Sequence, residues 1–157
     1  MSALQIEDFV LPALVTLVLG RQSGWFAKNI RIMRKKDNIV PPSTSGPPAF
    51  NRAFRAQQNA LEMMPVFLVA FWVTAAFSNT LIATVLGSVY VFGRWRYFLQ
   101  YIDDPARRVG PFRVCMFSTL LLLLIAVLGV TQFLLLKYAS YNLKECVFSV
   151  LPFKPPV

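Results

Sequence analysis

Two short runs in this 157-residue sequence carry side chains whose types and spacing could do chemistry. Arg55, Asn59 and Glu62 recur at i, i+4 and i+7, and Arg94, Tyr97 and Tyr101 at i, i+3 and i+7. On a helix each set shares one face. Arg34 closes an earlier apolar stretch, and Arg108 stands just before a later one. Brought to a common depth, these residues are expected to form an arginine-rich pocket with one buried carboxylate, one amide and two phenols. Arginines fork carboxylates, Glu62 can take an ammonium group, and Asn59 and Gln57 can read peptide groups. Such a pocket suits a small, multiply charged anion that also carries an ammonium group, and glutathione has those features. An arginine beside the glutathione sulfur would stabilise the thiolate, each unit of pKa lowering being worth about 1.36 kcal/mol.

That chemistry needs neither histidine nor metal. The sequence has no histidine, and its two cysteines, Cys115 and Cys146, are well separated, so no zinc or haem site and no structural disulfide is expected. The competing reading of the same residues is structural. Arginine and tyrosine at helix ends reach for lipid headgroups, and Glu62 can simply pair with Arg55.

The elements that must position these residues are membrane helices. Hydrophobic residues make up 56% of the chain and charged residues 15%, against about 25% charged in a soluble domain. The net charge of +9 is spread between apolar runs. It therefore argues for orientation in a membrane and contact with anionic headgroups, not for nucleic acid as a partner. The pattern predicts an all-α membrane protein, a single domain over residues 1–157 with four transmembrane helices at about 8–34, 48–77, 81–101 and 110–137. Arg21 near the middle of the first helix costs about 2.5–3.5 kcal/mol if it faces lipid, so it is expected to face protein or a polar cavity. The Pro-rich stretch from Val40 to Pro48 ends the first helix and opens the second, and Pro65 is a candidate kink. Asp103-Asp104-Pro105 ends the third helix, and the tail beyond Lys137 is mixed and Pro-rich.

Lysine and arginine set the orientation. Seven lie in residues 28–55 and five in residues 94–113, while the turn at 78–80 and the stretch before Arg21 have none. The positive-inside rule places the first and third connections in the cytosol, together with the pocket.

The run from Phe50 to Glu62 (FNRAFRAQQNALE), with Pro65 and Phe67 after it, resembles the hallmark of the membrane-associated proteins in eicosanoid and glutathione metabolism, the MAPEG family. The run from Gly87 to Tyr101 (GSVYVFGRWRYFLQY) and the Pro41-Pro42 and Gly46-Pro47-Pro48 positions match it too. The resemblance covers about residues 10–135. It implies a homotrimer in the endoplasmic reticulum and nuclear envelope, with glutathione held between neighbouring subunits on the cytosolic side. It implies that Arg34, Arg55, Gln57, Asn59, Glu62, Tyr97 and Tyr101 bind glutathione, with Arg94 and Met63 beside them, that Arg108 activates the thiol, and that Lys35 assists at the lipid substrate.

Within the family the chain is most similar to the glutathione transferases that act on leukotriene A4-type epoxides and, by the same thiolate, on lipid hydroperoxides. Met63 stands where a tyrosine is usual, and Lys35 where an arginine is usual; lysine cannot fork two acceptors. The alternative within the family is a non-catalytic, arachidonate-binding scaffold that partners a lipoxygenase. Those scaffolds lack the counterparts of Arg55 and Arg108, both present here.

Overall fold

The computed structural model describes residues 5–139. Cys146 and the Pro-rich tail lie outside the described residues. Among those described the protein is helical throughout: a 3-10 turn at Ile6–Phe9, then α1 (Val10–Lys36), α2 (Pro48–Phe77), α3 (Thr80–Asp103), a second 3-10 turn at Pro105–Arg108, and α4 (Val109–Ala139).

Local chemistry explains the boundaries. After α1 the chain passes through Asn38, whose φ of 52° ends helical geometry, and the prolines that follow cannot rejoin it. Pro48 occupies the first turn of α2, where its missing N–H costs nothing. Gly46 and Asn51 exchange two hydrogen bonds, of 2.9 and 2.8 Å, which fix the entry to α2. The Asn79 side chain caps α3 by accepting from the Ile82 N–H at 3.0 Å. Asp104 caps the second 3-10 turn by accepting from the Ala106 N–H at 2.9 Å. Helix α2 continues through Pro65, which has no N–H for the Leu61 carbonyl one turn earlier.

Three stretches are long and apolar enough to cross a membrane: Ile6–Lys36, Pro48–Phe77 and Pro105–Ala139. Helix α3 is not among them, because Arg94, Arg96 and Gln100 crowd its last third. Leu17, Val69, Phe92, Phe117 and Val127 turn outward and are each more than 60% exposed on the single chain. In water such a surface would be untenable; in a bilayer it is the surface that lipid or a neighbour covers.

The interior is built from stacked rings and small residues. Phe67 and Tyr90 stack at 3.8 Å between α2 and α3, amid Val15, Leu19, Phe71 and Leu122. Nearer the basic end, Phe26 and Phe98 stack at 4.2 Å, and Ala56 and Ala60 let α2 approach Tyr97 closely. Buried hydroxyls and amides find carbonyls on other helices. Thr74 donates to the Leu122 carbonyl at 2.9 Å, Ser118 to Leu86 at 2.6 Å, and Gln22 to Val91 at 2.9 Å.

Glycine is required where α3 crosses this core. A Cβ on Gly87 would fall 2.9 Å from Phe71 Cδ2 and 3.1 Å from Val15 Cγ1, and Phe71 is fully buried. A Cβ on Gly20 would meet nothing within 4 Å. Gly87→Ala is therefore expected to destabilise the protein by about 1–3 kcal/mol through overpacking. Gly20→Ala should be neutral or stabilising by up to about 1 kcal/mol from helix propensity. Thermal unfolding in mild detergent checks both, and equal midpoints for the two variants would contradict the packing described.

Candidate active site

At the basic end of the bundle, α2, α3 and the second 3-10 turn enclose a cavity of about 150 Å³ lined by Arg55, Gln58, Asn59, Glu62, Tyr97, Tyr101 and Arg108. The α2 members fall at i, i+3, i+4 and i+7, one helical face. Tyr97 and Tyr101 are successive turns of α3, with ring centroids 5.6 Å apart. Arg108 closes the cavity from the 3-10 turn, its guanidinium 4.5 Å from the centre of the Tyr101 ring. That is within cation–π range, so the ring holds the cation in place while its N–H groups remain available. The neighbouring Arg107 is engaged elsewhere, paired with Asp103 at 2.9 Å.

Arg94 lies behind the cavity wall, only 1% exposed. Its Nη1 donates to Asn59 Oδ1 at 2.7 Å and its Nε to the Tyr90 hydroxyl at 3.1 Å. Its guanidinium faces the rings of Tyr90 and Tyr97 at 5.2 and 5.6 Å, and its Nη2 is buried without a partner among the described residues. The hydrogen bond has a directional result. With Asn59 Oδ1 taken by Arg94, the amide has its NH₂ left to offer a ligand, and the cavity reads acceptors at that point. A cation held in low dielectric without a carboxylate partner also raises the potential felt by any anion in the cavity.

The Glu62 carboxylate, expected to be buried, is exposed on the single chain, and among the described residues it forms no ion pair; Arg55, its neighbour on the helix face, donates instead to Gln58 Oε1 at 3.1 Å. The cavity thus combines two arginines and one unpaired carboxylate, two phenols and two amides. It can receive a molecule with both anionic and cationic groups.

Six residues singled out by spacing or resemblance meet here: Arg55, Asn59, Glu62, Tyr97, Tyr101 and Arg108. The others lie elsewhere on the single chain. Arg34 donates to the Ser43 carbonyl and stacks over Phe50 and Phe54 at 5.1 and 5.9 Å. Lys35 is exposed in the last turn of α1. Gln57 and the half-buried Met63 do not line the cavity. Gln58, which sequence reasoning passed over, does line it. Its signal was present in the i+3 step from Arg55.

A helical membrane protein with a charged cavity at one end of its bundle is the class that this geometry defines. The model of the MAPEG family matches residues 9–128, which include every residue of the cavity. The chain belongs to the MAPEG family. It is 35% identical to human microsomal glutathione S-transferase 2 over 136 residues, covering 87% of this chain and 92% of that one. It is 38% identical to the mouse protein of the same name over 138 residues, covering 88% and 94%. It is 34% identical to rat leukotriene C4 synthase over 142 residues, covering 90% and 92%.

Arg52 and Arg55 stand one turn apart and do different work. Arg52 Nε donates to the Ile102 carbonyl at 2.8 Å, tying α2 to the end of α3. Arg52→Ala is expected to lower stability by about 1.5 kcal/mol, the lower range for a hydrogen bond to a charged group. Arg55→Ala should leave stability nearly unchanged, because Arg55 is exposed and its bond is to a neighbouring side chain. Thermal unfolding without ligand tests this ranking.

Proposed function

We propose that the protein is an integral membrane glutathione transferase that joins glutathione to an electrophilic lipid, with a leukotriene A4-type epoxide as the favoured substrate. The observation that carries the reading is Arg108, fixed over Tyr101 at the mouth of a cavity that also offers Arg55, Asn59 and Glu62. Arg55 takes a glutathione carboxylate, Glu62 its ammonium group, and the Asn59 NH₂ a carbonyl. Arg108 sits one residue before α4, whose N-terminal dipole adds to its positive potential. Together they hold the thiol as thiolate. The sulfur attacks an epoxide carbon, the C–O bond breaks, and the alkoxide takes a proton from solvent. Against a lipid hydroperoxide the same thiolate attacks the outer oxygen, the O–O bond breaks to release the lipid alkoxide, which takes a proton from solvent, and the thiol of a second glutathione attacks the resulting sulfenic acid to give the disulfide and water.

The names of the relatives support glutathione as co-substrate. The cavity supports a shared site. At about 150 Å³ it is smaller than the roughly 300–1,000 Å³ of sites for drug-sized ligands, and a tripeptide needs further walls. In this reading the protein is a homotrimer of four-span subunits, and a neighbour supplies those walls, with Arg34 and Gln57 among the residues that reach the ligand. Lys35 then belongs to the lipid side of the reaction. The distribution of lysine and arginine supports a cytosolic site, in the endoplasmic reticulum and nuclear envelope.

Adding glutathione to the purified protein at neutral pH should produce the ultraviolet band of a thiolate. No binding would favour the lipoxygenase-partnering scaffold instead. Arg55→Ala should weaken glutathione binding about ten- to hundredfold, and Arg52→Ala much less. Arg108→Ala should retain glutathione but lose the thiolate band at pH 7. The bound thiol pKa then rises towards its free value near 8.5, so turnover falls at neutral pH and partly recovers as pH rises through that value. Arg107→Ala is the control, and loss of the band in Arg107→Ala but not in Arg108→Ala would refute the assignment.

A further inference from the structure

The position of Arg108 depends on the turn that carries it. Among the described residues its guanidinium makes no hydrogen bond or ion pair, and it lies over the Tyr101 ring. Where it stands is therefore set by the second 3-10 turn, Pro105–Arg108. The backbone there has a gap to fill. In a helix the Arg107 carbonyl would accept from the N–H four residues on. That residue is Pro111, which has no N–H to give. Gln100, half-buried near the end of α3, supplies the missing donor. In the orientation that satisfies both ends of its amide, Gln100 Nε2 donates to the Arg107 carbonyl at 2.8 Å, and its Oε1 accepts from Arg96 Nη2 at 2.9 Å. Arg96 and Gln100 stand one turn apart on the same face of α3.

The carbonyl that Gln100 holds belongs to the peptide unit joining Arg107 to Arg108. That unit is planar, so fixing its oxygen fixes the plane from which the Arg108 Cα departs. Gln100 and Tyr101 are neighbours on α3. One holds the backbone leading into Arg108, and the other receives its guanidinium. The Arg107 side chain contributes less. It pairs with Asp103 at 2.9 Å, but both side chains are well exposed, and water screens such a pair.

We propose that Gln100, braced by Arg96, is a positioning residue for Arg108. It does not line the cavity. It acts by holding the Arg107–Arg108 peptide unit, and so sets where the Arg108 guanidinium stands. Its effect on a glutathione thiolate rests on the transferase reading above; its hold on the turn does not.

Two measurements on the purified protein in mild detergent test this. Hydrogen–deuterium exchange, with glutathione absent, reads the Ala106, Arg107 and Val109 amides. The turn protects them through Asp104 Oδ1, the Asp104 carbonyl and the Ala106 carbonyl. Gln100→Met, similar in length but with no N–H to donate, should speed their exchange about two- to tenfold. Arg96→Met should speed it less. Pro111→Ala gives the carbonyl a helical N–H, and in that background at least half of the Gln100→Met effect should disappear. The thiolate band of added glutathione then reads the consequence. In Gln100→Met the bound thiol pKa should rise by up to about one unit, with glutathione affinity unchanged and turnover lost at pH 7 but recovered at higher pH. Unchanged exchange in Gln100→Met would overturn the proposal, and so would an effect undiminished by Pro111→Ala. Faster exchange with an unaltered band would overturn it too, as would loss of glutathione affinity in step with the band, which marks general loosening of the fold. If the unaltered protein shows no band, the transferase reading fails, and exchange alone still decides whether Gln100 holds the turn.

Discussion

A polar group that enters the apolar part of this bundle is costly unless it is answered inside it, because a hydrocarbon layer offers no hydrogen bonds. The helices are tied together by the ways in which they meet that demand. Thr74 reaches from α2 to the Leu122 carbonyl on α4, Ser118 from α4 to Leu86 on α3, and Gln22 from α1 to Val91 on α3. In each case a short side chain borrows a spare lone pair from a carbonyl already used in a helix. Rings and alanines fill the space between these ties, but apolar contacts alone would discriminate poorly among helix registers when the surrounding lipid is just as apolar. The polar ties define which turn faces which.

The same demand shapes the site. Arg94 is buried where a cation is costly, and it is held by an amide, a phenol and two ring faces. Its position aligns Asn59 and lends positive potential to the cavity in front of it. The cavity end of the molecule is therefore organised from behind, by a residue that does not line the cavity. At the mouth Arg108 is held more lightly, over one ring on a single 3-10 turn. The contrast suits a site whose inner wall must be rigid and whose entrance must admit a ligand.

Much of this was legible in the sequence. The helical, membrane-embedded character followed from long apolar runs, and the Pro-rich stretch before Pro48 announced a loop with a helix behind it. The i, i+4, i+7 step from Arg55 to Glu62 marked the α2 face that lines the cavity. What periodicity leaves open is the fine rotation of a helix, and there Gln57 and Gln58 parted: adjacent residues differ by about 100°, and Gln58 lines the cavity. Arg94 shares a face with Tyr97 and Tyr101, and so its spacing pointed to the cavity. Its depth one turn further in, together with the demand of Asn59 for a partner, placed it in the wall instead. Arg21 was expected to face protein or a polar cavity; on the single chain it is exposed in a groove between α1 and α3. Its destination depends on what fills that groove, which one chain's sequence does not encode.

The 2.7 Å bond between Arg94 and Asn59 also bears on how this sequence can drift. Losing the amide leaves a buried guanidinium with one fewer partner, and losing the guanidinium leaves a half-buried amide oxygen without its donor, so each single change passes through a less well satisfied intermediate. Changing both is a different matter, since an apolar pair of similar volume can be nearly neutral for folding. The two positions, 35 residues apart in the chain, are thus expected to be epistatic: neighbouring points in sequence space are separated by a valley, and the ancestral pair tends to be inherited as a unit.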